Sequence, residues 1–136
     1  MKRKISLILA LVLICAFCFQ TIVSASNIST YNNNTFTTST IFSLSSVGKA
    51  VVYYEYEGYE GITTGATINI LIQKRNFLIF WTDVIDETIT LTGVGHEDEL
   101  VYHFTEQGTY KCTVTYRVSG TGGEDDVITY ERTESW

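Results

Sequence analysis

Residues 109–118 read TYKCTVTYRV, and this stretch decides the fold. Tyrosine, cysteine and valine occupy every second position, while threonine, lysine and arginine occupy the positions between them. A period of two over ten residues predicts a β-strand with one face in a core and the other in water. Cys112 falls on the apolar face, so we expect it to be buried as a small hydrophobic residue.

Weaker strand patterns recur on both sides of this segment, with turn residues between them. Residues 49–57 and 66–73 alternate in the same way. Lys74, Arg75 and Asn76 are predicted to form the turn of a hairpin. The remaining strand candidates lie at residues 39–44, 77–83, 88–92, 99–105 and 127–134. Seven or eight such strands predict an all-β domain of two packed antiparallel sheets, with closure into a barrel as the alternative.

Residues 106–112 read EQGTYKC, which resembles the penultimate strand of immunoglobulin domains. In that strand a turn glycine precedes a tyrosine that lies two residues before a cysteine. The resemblance implies an immunoglobulin-like sandwich with Tyr110 at the tyrosine corner, and Trp81 lies somewhat late for the usual core tryptophan. Val52 or Tyr54 stands where a partner cysteine would be, so the inter-sheet disulfide is absent.

A second set of short motifs extends over most of residues 48–130. They are GY at 58–59, TTGATI at 63–68, IQKR at 72–75, FW at 80–81, GTY at 108–110, SGTGG at 119–123 and DVI at 126–128. In these motifs the chain resembles a set of uncharacterised small secreted proteins of Gram-positive bacteria. The resemblance implies bacterial secretion and supports the fold, but it brings no catalytic residue.

The N-terminus has the composition of a secretory signal peptide. Three basic residues at positions 2–4 precede an apolar run at residues 5–19, and VSA at residues 23–25 fits a signal peptidase. An uncleaved anchor is the alternative, but the run is short for a membrane span. We predict a signal peptide at residues 1–25, a polar flexible leader at 26–38 and a β-sandwich domain at 39–136. A loosely attached first strand is the alternative to the flexible leader.

The charge balance excludes one class of partner. The chain has 9 basic and 15 acidic residues, and cleavage after Ala25 would remove three of the basic ones, leaving a net charge of −9. Because binding to phosphate backbones needs a basic face, we expect no nucleic-acid partner. We also expect a secreted protein with no cofactor and no stable membrane anchor after cleavage.

Catalytic and metal-binding patterns are weak. His96 and His103 are the only histidines, and no serine has the context of a nucleophile elbow, so we expect no enzymatic activity. Acidic loops at residues 96–99 and at the last turn are weak candidates for calcium, whose ligands are carboxylate and carbonyl oxygens. Solvated turns are the simpler interpretation. The calcium candidates in the last turn are Glu124, Asp125 and Asp126.

Residues 77–81 read FLIFW and are apolar at consecutive positions, so one side of a strand cannot hide them all. Either one face is an exposed patch beside a basic hairpin turn, or the strand is buried on both faces. The exposed face would be Leu78 and Phe80, or alternatively Phe77, Ile79 and Trp81. The candidate binding residues are Lys74, Arg75, Leu78, Phe80 and Trp81. We expect an extracellular binding or interaction module whose partner is a protein or glycan. A secreted antibacterial or toxin-like effector acting on cell envelopes is the alternative.

Overall fold

The computed structural model describes residues 32–77 and 79–136, which form seven β-strands. The strands are β1 (Thr35–Leu44), β2 (Lys49–Gly58), β3 (Thr63–Asn76), β4 (Phe80–Thr92), β5 (Gly95–His103), β6 (Thr109–Gly120) and β7 (Asp126–Ser135). Within these ranges no helix has the length and apolar character needed to cross a membrane. The predicted signal peptide, residues 26–31 of the predicted leader and Leu78 lie outside the described residues.

The strands form two antiparallel sheets that pack face to face. One sheet has the order β1-β2-β5 and the other has the order β4-β3-β6-β7. In the larger sheet Ile72 of β3 lies between Ile85 of β4 and Cys112 of β6. The predicted two-sheet, immunoglobulin-like sandwich is therefore confirmed, and the sheets do not close into a barrel.

The core lies between the sheets and is built mainly from alternate residues of β2, β3 and β6. Its buried apolar side chains are Phe42, Ala50, Val52, Tyr54, Tyr56, Ala66, Ile68, Ile70, Ile72, Tyr110, Cys112, Val114, Tyr116 and Val118. Each of these three strands contributes a continuous apolar row because successive side chains point to opposite faces. The predicted alternation of residues 109–118 and the burial of Cys112 are confirmed.

Tyr110 forms the predicted tyrosine corner. Its hydroxyl donates a 2.6 Å hydrogen bond to the backbone carbonyl of Glu106, and its ring stacks on Phe104 with 4.3 Å between centroids. This contact fixes the connection between β5 and β6. Trp81 does not occupy the core, because it is half-buried on β4 opposite Arg75.

Several predicted boundaries are wrong. The turn between β3 and β4 includes Phe77 and Ile79, because Lys74 and Arg75 continue β3 and pair with β4. The predicted strands at 77–83 and 88–92 are parts of one strand, β4. Residues 96–99, predicted as an acidic loop, lie in β5 and pair with β2. The loop interpretation failed there because all four residues are exposed and lack an apolar alternation, although they form an edge strand, where charged side chains are common.

The predicted leader is also wrong over its described part. β1 begins at Thr35, four residues before the predicted start of the domain, and Asn34 and Thr35 are buried. The Asn34 side chain donates a 2.9 Å hydrogen bond to the carbonyl of Glu124 and accepts one of 3.1 Å from the N–H of Gly122. Residues 32–38 therefore belong to the sandwich.

Candidate binding site

The turn between β3 and β4 projects large apolar side chains into water. Phe77, Ile79 and Phe80 are 85%, 73% and 63% exposed, and we call these three residues the hairpin tip. The turn is closed by the pairing of Asn76 with Phe80, whose backbones face each other across the hairpin. Contiguous apolar side chains on a soluble domain usually mark a surface that contacts a partner.

Phe77 also has an unfavourable backbone conformation. Its φ angle is +56°, in the left-handed region where the Cβ of an ordinary residue crowds the following carbonyl oxygen. For a bulky residue such a conformation costs about 1–3 kcal/mol, whereas glycine or asparagine adopts it readily. Because the Phe77 side chain is exposed, core packing does not offset this cost.

Basic and aromatic side chains lie directly behind the tip. Arg75 pairs with Trp81 across the hairpin, and its Nη2 donates a 3.3 Å hydrogen bond to Oγ1 of Thr109 on β6. The Nζ of Lys111 lies 4.8 Å from the centroid of the Trp81 ring, which is within the range of a cation–π contact. The tip is thus followed by a belt formed by Arg75, Trp81 and Lys111.

An ion pair joins the same hairpin to the β5–β6 connection. The Nζ of Lys74 donates a hydrogen bond to the carboxylate of Glu106. This hydrogen bond raises the pKa of Lys74 and lowers the pKa of Glu106, so both groups are charged at neutral pH. The contact orients the hairpin relative to the tyrosine corner, whose acceptor is the backbone carbonyl of Glu106.

The predicted binding residues therefore differ in their surroundings. Arg75 and Phe80 are exposed, Trp81 is half-buried against Lys111, Lys74 is engaged by Glu106, and Leu78 lies outside the described residues. The candidate binding residues did not include Phe77 and Ile79, which the sequence placed on the alternative face and which are the two most exposed members of the tip. Asn76 could have indicated that the turn follows it, because asparagine is common where a turn begins.

The acidic residues of the last turn hold the structure together. Asp126 is buried, and its carboxylate accepts hydrogen bonds of 2.9 and 2.7 Å from the backbone N–H groups of Asn33 and Asn34. Desolvation acts to raise the pKa of Asp126, but these N–H groups outweigh it and hold the pKa below the usual value of 3.8. Asp125 lies 3.9 Å from Arg117, and the Glu124 carbonyl contacts Asn34. Asp126 and the Glu124 carbonyl thus both bind Asn34, whereas the Asp125 carboxylate faces Arg117.

A second acidic group lies on the outer face of the smaller sheet. The Tyr53 hydroxyl donates to the carboxylates of Glu55 and Glu97, at 3.1 Å each, and these two residues are opposite each other in the β2–β5 ladder. Desolvation and the two carboxylates raise the pKa of Tyr53 to about 12. Across residues 32–77 and 79–136 no three histidine, cysteine or acidic side chains are arranged to hold a metal ion.

Cys112 lines the inner end of a groove between the edges of β1 and β7. The groove has a volume of about 280 Å³, and Phe42, Tyr130 and Arg132 also line it. Burial raises the pKa of the Cys112 thiol to about 12, so the thiol is protonated at neutral pH. A protonated, buried thiol is not a nucleophile.

Comparisons with known proteins add little to this geometry. Neither a protein-family model nor a curated protein matches the sequence. Two solved structures of β-glucosidase 3B from Thermotoga neapolitana, one in complex with glycerol and one with glucose, are similar to 73% of this chain at 18% identity and a TM-score of 0.35. The chain covers 17% of that enzyme's length. No functional conclusion follows from a likeness this weak.

Proposed function

We propose that the protein is an extracellular binding module that contacts its partner through the hairpin tip. Phe77 carries this proposal, because its side chain is 85% exposed and its backbone is left-handed. Neither core packing nor turn geometry favours phenylalanine at this position. A partner that covers the side chain would account for its presence. The signal-like composition of residues 1–25 supports an extracellular location.

The proposed module is not an enzyme. His103 is exposed on β5, while Cys112 is buried in the core with a raised pKa. Nucleophilic catalysis requires a base within hydrogen-bond reach of an accessible nucleophile, and these two side chains have different environments. The exposed side chains of the hairpin tip are apolar and the exposed Arg75 behind it is basic, and such side chains suit binding to a partner.

Retention on cells tests the proposed function. The full chain is expressed, and the processed protein is purified after intact mass confirms that it begins at Ser26. It is incubated with washed Gram-positive bacteria, and an immunoblot of the cell pellet measures the bound fraction. We expect Phe77→Ser/Phe80→Ser to lose retention with an unchanged melting temperature, because both side chains are exposed.

Val127→Ser is the matched control, since it also removes an exposed apolar side chain but lies at the start of β7. It is expected to be retained like the parent protein. Equal retention of the parent and the tip variant would contradict the proposed function, as would a parent protein that washes off completely.

A further inference from the structure

We infer that the surface contacted by the hairpin tip is a phospholipid bilayer, an inference that rests on the proposed function. The hairpin is layered along its length. Phe77, Ile79 and Phe80 lie at its end, and the belt of Arg75, Trp81 and Lys111 follows. This order matches the layers of a bilayer: apolar side chains suit the hydrocarbon, tryptophan suits the interface, and basic groups suit the phosphates.

The apolar layer fits lipid better than glycan. The three tip side chains carry no hydrogen-bonding group, whereas sugar recognition needs polar groups that fix the orientation of hydroxyls. Behind the tip, Arg75 is exposed and its Nη2 donates a 3.3 Å hydrogen bond to the neutral Thr109, so its positive charge remains available to an anionic phosphate. A fluid hydrocarbon layer accepts phenylalanine and isoleucine without a shaped pocket.

A second apolar turn lies at the same end of the sandwich. Val47, in the turn between β1 and β2, is 77% exposed. The neighbouring Gly48 carbonyl accepts a 2.9 Å hydrogen bond from Phe104, and Lys74 pairs with Glu106, so both turns are joined to the β5–β6 connection. Two separate turns with apolar ends suit an extended surface such as a bilayer.

The basic residues are concentrated at the same end of the sandwich, which favours contact of this end with anionic phosphate. When the strands are divided at their midpoints, the half with the hairpin tip contains five of the six basic residues that follow the predicted signal peptide. These are Lys49, Lys74, Arg75, Lys111 and Arg132. The same half also contains four acidic residues, Asp83, Glu106, Glu131 and Glu134, and the last three lie within ion-pair distance of Lys74, Lys111 and Arg132. The opposite half contains Arg117 and nine acidic residues: Glu55, Glu57, Glu60, Glu87, Glu97, Asp98, Glu124, Asp125 and Asp126. Asp86 and Glu99 lie at the midpoints of their strands.

The half with the hairpin tip thus has five basic and four acidic residues, so the net negative charge of the domain lies outside that half. The fourteen-residue β3 spans about 45 Å, because an extended strand rises about 3.3 Å per residue. The Debye length at physiological ionic strength is about 8 Å, so a membrane at the tip is screened from the acidic end. The acidic end instead favours the orientation in which it faces away from an anionic surface.

Binding to vesicles tests the inference. The processed protein is mixed with vesicles of phosphatidylcholine alone, or of phosphatidylcholine and phosphatidylglycerol in equal parts, and bound protein is measured by sedimentation. We expect the parent to bind both, more tightly with phosphatidylglycerol, and its tryptophan emission to shift to shorter wavelength as Trp81 enters the interface. Arg75→Gln is expected to remove most of the gain from phosphatidylglycerol.

The tip variant gives the decisive comparison. Phe77→Ser/Phe80→Ser should weaken binding about tenfold for each phenylalanine removed, while Val127→Ser should bind like the parent. A parent that binds neither vesicle, or a tip variant that binds as well as the parent, overturns the lipid inference. If retention on cells still depends on the tip and is abolished by treating the cells with protease, the partner is a protein and the proposed function stands. If the tip affects neither assay, both fail.

Discussion

The carboxylate of Asp126 accepts a 2.7 Å hydrogen bond from the backbone N–H of Asn34, a residue 92 positions earlier in the chain. The contact joins the start of β7 to the residue before β1. A second hydrogen bond from the N–H of Asn33 makes the carboxylate a bidentate acceptor. The entry of the chain into the sandwich thus depends on one buried charge, which suggests a direct test.

Asp126→Ala should destabilise the domain by about 1–3 kcal/mol, because it leaves two N–H groups without their charged acceptor. Urea unfolding measures the loss. Asp125→Ala is the matched control, since its pair with Arg117 at 3.9 Å is partly exposed and should contribute less than about 1 kcal/mol. Equal losses for the two variants would show that Asp126 does not anchor β1.

The same carboxylate predicts how stability depends on pH. The pKa of Asp126 is lower in the folded protein than its ordinary value of 3.8. Its stabilising contribution is therefore complete above that value and is lost as the pH falls through the folded pKa. We expect the urea midpoint of the parent to fall more steeply than that of Asp126→Asn below about pH 4. Parallel curves for the two proteins would assign acid sensitivity to other groups.

The tyrosine corner can be tested by removing one oxygen atom. Tyr110→Phe deletes the 2.6 Å hydrogen bond to the Glu106 carbonyl but keeps the ring that stacks on Phe104. We expect a loss of about 0.5–1.5 kcal/mol in the free energy of unfolding. Tyr59→Phe should be neutral, because the Tyr59 ring is exposed near Phe36 and its hydroxyl has no hydrogen bond within the described chain. Similar losses of stability in both variants would show that the hydrogen bond of the tyrosine corner does not stabilise the domain.

The environment of Cys112 predicts its reactivity. The thiol is buried and its pKa is raised to about 12, so a thiol reagent should label the processed protein only when it unfolds. Cys112→Ser should cost roughly 1–3 kcal/mol, because it places an imperfectly paired hydroxyl in the core. Mass spectrometry before and after urea treatment measures the labelling. Rapid labelling of the native protein would mean that the groove between β1 and β7 opens to the core.

The sequence predicted the central strands because their pattern has only one physical interpretation. In residues 109–118 every second side chain is apolar, and a shift by one residue would place all of them in water. The tyrosine corner was predicted from the resemblance of residues 106–112 to an immunoglobulin strand, and its hydrogen bond joins two residues that are only four positions apart. By contrast, the contact of Asn34 with Asp126 joins distant polar residues that carry no periodic signal.

The sequence analysis placed the turn between β3 and β4 too early in the chain, for a different reason. Lys74 and Arg75 are charged, and charged residues favour turns. In the structure both residues belong to β3, where Lys74 binds Glu106 and Arg75 binds Thr109. Phe77 and Ile79 lie in the turn instead, and at Phe77 local preference would favour glycine or asparagine. A sequence pattern that contradicts local preference is expected at a functional surface, because folding stability alone would remove it.

Phe77→Asn tests whether stability has been given up at the tip. Asparagine tolerates the left-handed conformation, so the substitution should raise the free energy of unfolding by about 0.5–1 kcal/mol. Phe80→Asn is the matched control. It removes a similarly exposed phenylalanine from the first position of β4, where asparagine is unfavourable, and should lower stability slightly.

Both substitutions should weaken binding to vesicles, while only Phe77→Asn should stabilise the fold, as measured by urea unfolding. That separation would show that phenylalanine at position 77 serves contact at the expense of the turn. A loss of more than about 1 kcal/mol in Phe77→Asn would mean that the Phe77 ring packs on the domain, because a fully exposed ring leaves no cavity when it is removed. The tip would then be a structural element, and its exposure would no longer point to a partner.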